Sequence, residues 1–295
     1  MSHFTVIVIG GYIDQQLAPY DENMAVAPHF EEEGEFAMTA GKEHAAKRGY
    51  DPESLEDIAK ALNEEWGEDS EYGVRDGVLG RMTTYNPESK WDWYVIGGRW
   101  RGYFPLKDGV EYDPSKLGDP GTFEALDGDR EDYSKVRRVD IALKEQIDFE
   151  AARSKAEQEG RETFAKWQDI FVKHGKPKSW EEIRDSIEDI EKARETYKDQ
   201  PAIAASQKTE GLNFWFSCPV TEVGFDEDVY AKKCRSGALV PYAIVKDGKW
   251  YGRGDMGWFG MSSNDADEQE WAEKLHALYD ELPPNTLITM IDCHI

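Results

Sequence analysis

Phe4-Thr5-Val6-Ile7-Val8-Ile9 is an unbroken run of apolar and β-branched side chains, ended by Gly10-Gly11. A strand without polar alternation is buried on both faces, so this run is expected at the centre of a covered sheet. Leu287–Ile291, LITMI, has the same character near the other end of the chain. The fold reading follows from what lies between these two strands.

After the first strand comes a loop through Leu17-Ala-Pro-Tyr-Asp-Glu-Asn23 and the acidic run 31–33. Asp51 then fits a helix N-cap and Pro52 the N1 position. Leu55, Ile58, Ala59, Leu62 and Trp66 recur at helical spacing until Gly67 supplies the stop. Trp91–Ile96 reads as a strand halted by Gly97-Gly98, so the first hundred residues read β-α-β. Residues 105–138 are rich in Gly, Asp and Pro and read as loop, with one short hairpin around Gly109. In the last third, Val240–Lys246 and Lys249–Tyr251 flank Asp247-Gly248, a hairpin signal because both turn positions require positive φ. A helix follows over 265–282, capped by Asn264 or Asp265, with Trp271, Leu275, Leu278 and Leu282 inward.

Between these halves the period changes. Residues 141–172 read as largely helical, with Leu143, Ile147, Phe164, Trp167, Ile170 and Phe171 as a stripe. Ser179 and Glu182 make a capping box for a second helix carrying Ile183, Ile187, Ile190 and Tyr197. Two helices joined by a short loop predict an antiparallel hairpin, closed by Gln200-Pro201. Residues 202–238 show little pattern apart from a candidate strand over 212–216. The fold class is therefore α+β, a ferredoxin-like β-α-β/β-α-β sheet with an inserted antiparallel helical hairpin. Its segments are 1–138 and 202–295 as the two halves of one sheet, and 139–201 as the insert. On this reading the first and last strands pair antiparallel, which brings His3 close to His294, and the helices 51–66 and 265–282 lie side by side.

Sixty acidic against 35 basic residues leave a formal charge of −25. Residues 1–80 carry 18 acidic and 5 basic side chains, and 264–295 carry 8 and 1, so the two ends hold most of the excess. Such a chain is a poor direct ligand for nucleic acid or an anionic membrane. Either the charge solvates the surface, or it forms a face that imitates DNA or docks on a basic host protein. Cys218, Cys234 and Cys293 have no metal-ligand spacing and are odd in number, which points to the reducing cytoplasm, and no metal site is expected. The apolar N-terminal run is too short for a signal peptide or a membrane span.

The stretch Lys90–Phe104, KWDWYVIGGRWRGYF, is the densest in recognition side chains. Trp91, Trp93 and Tyr94 are either core or stacking surfaces. Gly97 and Gly98 offer backbone N–H groups as an anion nest, and Arg99 and Arg101 are expected to need a carboxylate or phosphate partner. Trp258, in the Gly-rich loop 252–261, is a candidate lid over the same pocket. No Walker or dinucleotide motif is present, and the cofactor is unassigned. His3-Phe4-Thr5 matches one His-x-Thr element of two-histidine phosphoesterases. The second copy is missing, although His3, Asp292 and His294 would form an acid–base or metal cluster if the end strands pair.

The strings Ser-His-Phe-Thr-Val, Leu-Ala-Pro-Tyr-Asp-Glu-Asn, Trp-Asp-Trp-Tyr-x-x-Gly-Gly-Arg-Trp, Lys-Asp-Gly-x-Trp-Tyr, Met-Gly-Trp and Asp-Cys-His together resemble a family of uncharacterised proteins of tailed bacteriophages and prophages. The resemblance spans nearly the whole chain and brings no fold or activity. It implies a phage accessory protein in the bacterial cytoplasm, acting against host defence.

Two functions are then expected. One is binding of a nucleotide-like or other phosphorylated small ligand by Trp91, Trp93, Tyr94, Gly97, Gly98, Arg99, Arg101 and Trp258. Sequestration is its simpler version, and hydrolysis requires His3, Asp292 and His294 to converge there. The other is inhibition of a host enzyme through an acidic face that includes Glu56, Glu64, Glu65, Glu268 and Glu273. In either case the hairpin 141–198 is a candidate oligomerisation arm.

Overall fold

The computed structural model describes residues 2–67, 71–113, 137–212, 214, 217–256 and 261–295. They form a mixed α+β structure with several open sheets, divided into two compact units: Met1–Gln16 with Tyr94–Ile295, and Leu17–Trp93.

The larger unit is built on a sheet of six strands: β1 (His3–Ile9), β2 (Trp93–Ile96), β3 (Ile141–Leu143), β4 (Ala243–Lys246), β5 (Lys249–Gly252) and β6 (Leu287–His294). Their order is β5-β4-β1-β6-β2, with β3 also paired to β6. β1 runs antiparallel to β6 in a register from His3↔His294 to Ile9↔Ile288, and parallel to β4. Val6, Ile7 and Val8 are wholly buried, and every residue of β6 is buried. At about 1.5–3 kcal/mol per large apolar side chain removed from water, these two strands anchor the fold. Asp247 and Gly248 both take positive φ (53° and 71°) in the β4–β5 turn, as the hairpin signal requires. The helix Glu268–Glu281 starts at Asp267, whose carboxylate accepts from the Gln269 and Glu270 amides. This cap lies two or three residues beyond the expected Asn264 or Asp265.

The helix Leu55–Trp66 is not part of this unit. It belongs to the smaller unit, where it packs on the helix Glu35–Arg48 and on a three-stranded sheet of His29–Glu32, Val78–Thr83 and Tyr72–Arg75. Its apolar face goes into a separate core of Ala45, Ile58, Ala59, Ala61, Leu62 and Leu79. Ser54, not Asp51, is the N-cap, accepting from the Asp57 amide; Asp51 instead accepts from Glu53 N in the preceding turn. Gly41 explains how the two helices approach, because a Cβ there would stand 2.6 Å from Ile58 Cγ2. Sequence pattern does not show the helix 35–48, whose Ala, Gly and Lys composition makes no apolar stripe. Asp76-Gly77, with φ of 49° and 79°, repeats the Asp-Gly hairpin signal in this unit.

The insert is more elaborate than a two-helix hairpin. Residues 141–148 are strand and a 3₁₀ turn, and Asp148 caps a 26-residue helix, Phe149–His174. That helix packs mainly on Glu227–Ser236 and Pro201–Ser206, both inside the stretch 202–238 that showed little pattern. Pro201 opens a helix instead of closing one, since at the first position its missing N–H costs nothing. The second expected helix is broken in two: Ser179 and Glu182 form the capping box for Trp180–Ser186, and Asp189 recaps Ile190–Lys198. Phe164, Trp167, Ile170, Phe171, Ala202, Ile203, Leu212, Phe214 and Val223 make the core of this subdomain. The candidate strand 212–216 and the loop 105–138 fall largely outside the described residues.

Candidate functional site

Antiparallel pairing of β1 and β6 places His3, Thr5, Asp292 and His294 on one face, at the end of the central strands. His3 Nδ1 lies 2.8 Å from Asp292 Oδ1, and the His3 and His294 rings meet edge-on with centroids 5.0 Å apart. Asp292 is 1% exposed, and its second oxygen accepts from the Arg99 amide at 3.0 Å. A buried carboxylate held from both sides fixes the orientation of the imidazole.

The glycine pair makes this arrangement possible. Gly97 adopts φ 76°, ψ −64°, and its N–H donates to Met290 O at 3.1 Å, tying the turn to β6. A Cβ on Gly98 would overlap the Asp292 side chain, and one on Gly97 would stand 2.5 Å from Asp140 Oδ2. The turn packs directly on the Asp292 side chain; its donor to that carboxylate is the Arg99 amide, while the Gly97 N–H is spent on Met290 O.

Asp140 is a second buried acid beneath the same turn, and nothing in its sequence surroundings marks it. Its Oδ1 accepts from Tyr103 N at 2.9 Å, and its Oδ2 has no hydrogen-bond partner. Burial raises its pKa; the amides of Tyr103 and Gly102 and the charges of Arg101 and Arg138 offset part of that rise. Burial also pushes the neighbouring Tyr103 phenol far up.

Arg99 and Arg101 are exposed, and the charge of Arg101 acts on buried Asp140. They stand beside the cluster as solvent-facing cations. The Tyr94 hydroxyl donates to Asp14. Trp91 belongs to the smaller unit, where it is buried with its indole N–H donating to Leu17 O at 3.3 Å; Trp93, the first residue of β2, is exposed. Trp258 lies outside the described residues. The structure thus brings together His3, Asp292, His294, Gly97, Gly98 and the Arg99 backbone, and it adds Asp140.

The acidic candidates are partly neutralised within the chain. Arg48 pairs with both Glu64 and Glu65, and Glu268 pairs with Lys233 and Arg253. Among the described residues no group of three or more His, Cys, Asp or Glu is disposed to hold a metal ion, and no helix is long and apolar enough to cross a membrane. Cys293 is buried, and Cys218 and Cys234 are partly buried. No family model, curated protein or solved structure matches the chain.

Proposed function

We propose that the protein binds a phosphorylated, nucleotide-like small ligand beside the β1–β6 strand ends and hydrolyses its phosphoester by acid–base chemistry. The observation that carries this is the 2.8 Å contact of His3 Nδ1 with buried Asp292, with His294 against the His3 ring. In this reading His3 takes a proton from water, whose oxygen attacks phosphorus. The P–O bond to the leaving group breaks, and His294 returns a proton to the departing oxygen. Asp292 holds the His3 tautomer, and Arg99 and Arg101 neutralise the phosphate.

The strand pattern supports a ferredoxin-like ancestry for the larger unit. β1 lies between parallel β4 and antiparallel β6, and the helix Glu268–Glu281 connects the hairpin to β6. β5 takes the outer position beside β4 that β2 would hold in that fold, and β2 sits at the opposite edge. In the setting that the phage resemblance implies, the activity removes a host nucleotide signal. Docking through the acidic face draws less support, because Glu64, Glu65 and Glu268 already have internal partners.

Isothermal titration with mononucleotides and cyclic dinucleotides tests the binding half. Saturable binding to the wild type that is weakened about tenfold or more by Arg99→Glu with Arg101→Glu is expected, since charge-assisted contacts are worth at least one decade. No heat from any of these ligands contradicts it.

A further inference from the structure

The helical subdomain contains a cavity of about 580 Å³, lined by Trp180, Tyr197, Arg194, Lys198, Ser217 and Cys218 among others. Nothing in the reading of the His3–Asp292 cluster uses it. Its size suits a small molecule, and its walls combine apolar rings with a few polar groups, the usual make-up of a ligand site.

Three features define what fits. The Trp180 and Tyr197 rings meet at 82° with centroids 5.8 Å apart, making an apolar corner for a flat ring. Arg194 and Lys198 follow one turn apart on the helix Ile190–Lys198, so both cations project on one side. Arg194 is paired with Glu191 at 2.6 Å, whereas Lys198 makes no ion pair among the described residues. The other flank carries Glu181, whose carboxylate accepts from the Thr221 hydroxyl at 3.1 Å and is held below the usual range by its own backbone amide and Ser179. One spare cation and one fixed carboxylate lining the same cavity favour a single negative charge and disfavour a polyphosphate. Finally, Cys218 lines the cavity beside Tyr197 and places a thiol in its wall.

We propose that this cavity is a binding site for a small aromatic monoanion, ring against Trp180 and Tyr197 and acid group against Lys198 and Arg194. It places a second ligand in the helical subdomain, independent of the β1–β6 cluster.

The test uses the full chain with indole-3-acetate, its neutral analogue indole-3-acetamide, and ATP as the polyanion. Titration should give saturable binding of indole-3-acetate, at least about tenfold stronger than the acetamide or ATP, because one charge-assisted contact is worth about that factor. Lys198→Glu should abolish the preference without moving the unfolding midpoint, since Lys198 is exposed. Occupancy should also slow alkylation of Cys218 by iodoacetamide while leaving Cys234, on a different helix, unchanged. His3→Gln should alter none of these results. Absence of indole-3-acetate binding overturns the proposal, as does equal binding of the acetamide or unprotected Cys218.

Discussion

Asp292 Oδ1 lies 2.8 Å from His3 Nδ1, joining two side chains 289 positions apart in the chain. The contact exists because β1 and β6 are adjacent and in the register His3↔His294 and Thr5↔Asp292. Asp292 also accepts the Arg99 amide, so one carboxylate holds together two strands and a turn. Replacing it by Ala leaves the Arg99 amide and His3 without their acceptor. Equilibrium denaturation of Asp292→Ala should show a loss of about 2–4 kcal/mol, with Asp292→Asn losing less because it keeps an acceptor oxygen.

Gly97 is constrained by both its backbone and its surroundings. Gly97→Ala should cost about 2 kcal/mol or more in the same measurement, from positive φ together with the collision against Asp140. Gly109 supplies the control. Its φ is 78° but no atom lies within 4 Å of the added Cβ, so Gly109→Ala should cost clearly less.

Asp140 makes stability fall as pH rises. Its folded pKa is raised above the ordinary 3.8, so the unfolded chain ionises first as pH increases through that value. Stability contributed by the neutral acid is fully present below pH 3.8 and is lost towards the higher folded pKa. Asp140→Asn cannot ionise. Its stability relative to wild type should therefore be more favourable at pH 7 than at pH 3, as read from thermal melts at the two values. An unchanged difference would place Asp140 in a more polar environment than the structure shows.

Much of the central sheet was legible from residue type, and the reason is local. Phe4–Ile9 and Leu287–Ile291 have no polar alternation, which admits only a doubly covered strand, and Asp247-Gly248 permits only a tight hairpin. The proximity of His3 to His294 followed from pairing those two strands. The destination of the helix Leu55–Trp66 was not legible. An apolar stripe states that a helix must be covered, not by what, and the covering helix 35–48 has no stripe of its own. In the insert, Pro201 read as a stop although the same residue serves as a first helical position. The caps Asp189 and Asp226 were visible only as acidic residues among many. At the site, the Gly97-Gly98 pair signalled a turn, but not that the turn packs on Asp292 and lends it the Arg99 amide. Asp140, lying between Val139 and Ile141 with no motif around it, carried no signal.

Trp167 should be the most sensitive position of the helical subdomain. It is wholly buried, contacts Phe171, Phe214 and Phe225, and donates its indole N–H to Gly224 O at 2.9 Å. Trp167→Ala should cost about 3–5 kcal/mol, combining lost burial with a cavity the neighbouring helices cannot fill. Trp167→Phe should recover roughly half of that, measured by urea unfolding followed by circular dichroism.

The central claim is that His3, Asp292 and His294 act chemically on a phosphorylated ligand. The most direct measurement is phosphorus-31 NMR of a nucleotide and cyclic dinucleotide panel incubated with wild-type protein and with His3→Gln. The account predicts new product resonances with wild type, formed at least about a hundredfold more slowly by His3→Gln, the scale of a lost general base. Ligands that bind but are never converted, or conversion that survives His3→Gln undiminished, would contradict it.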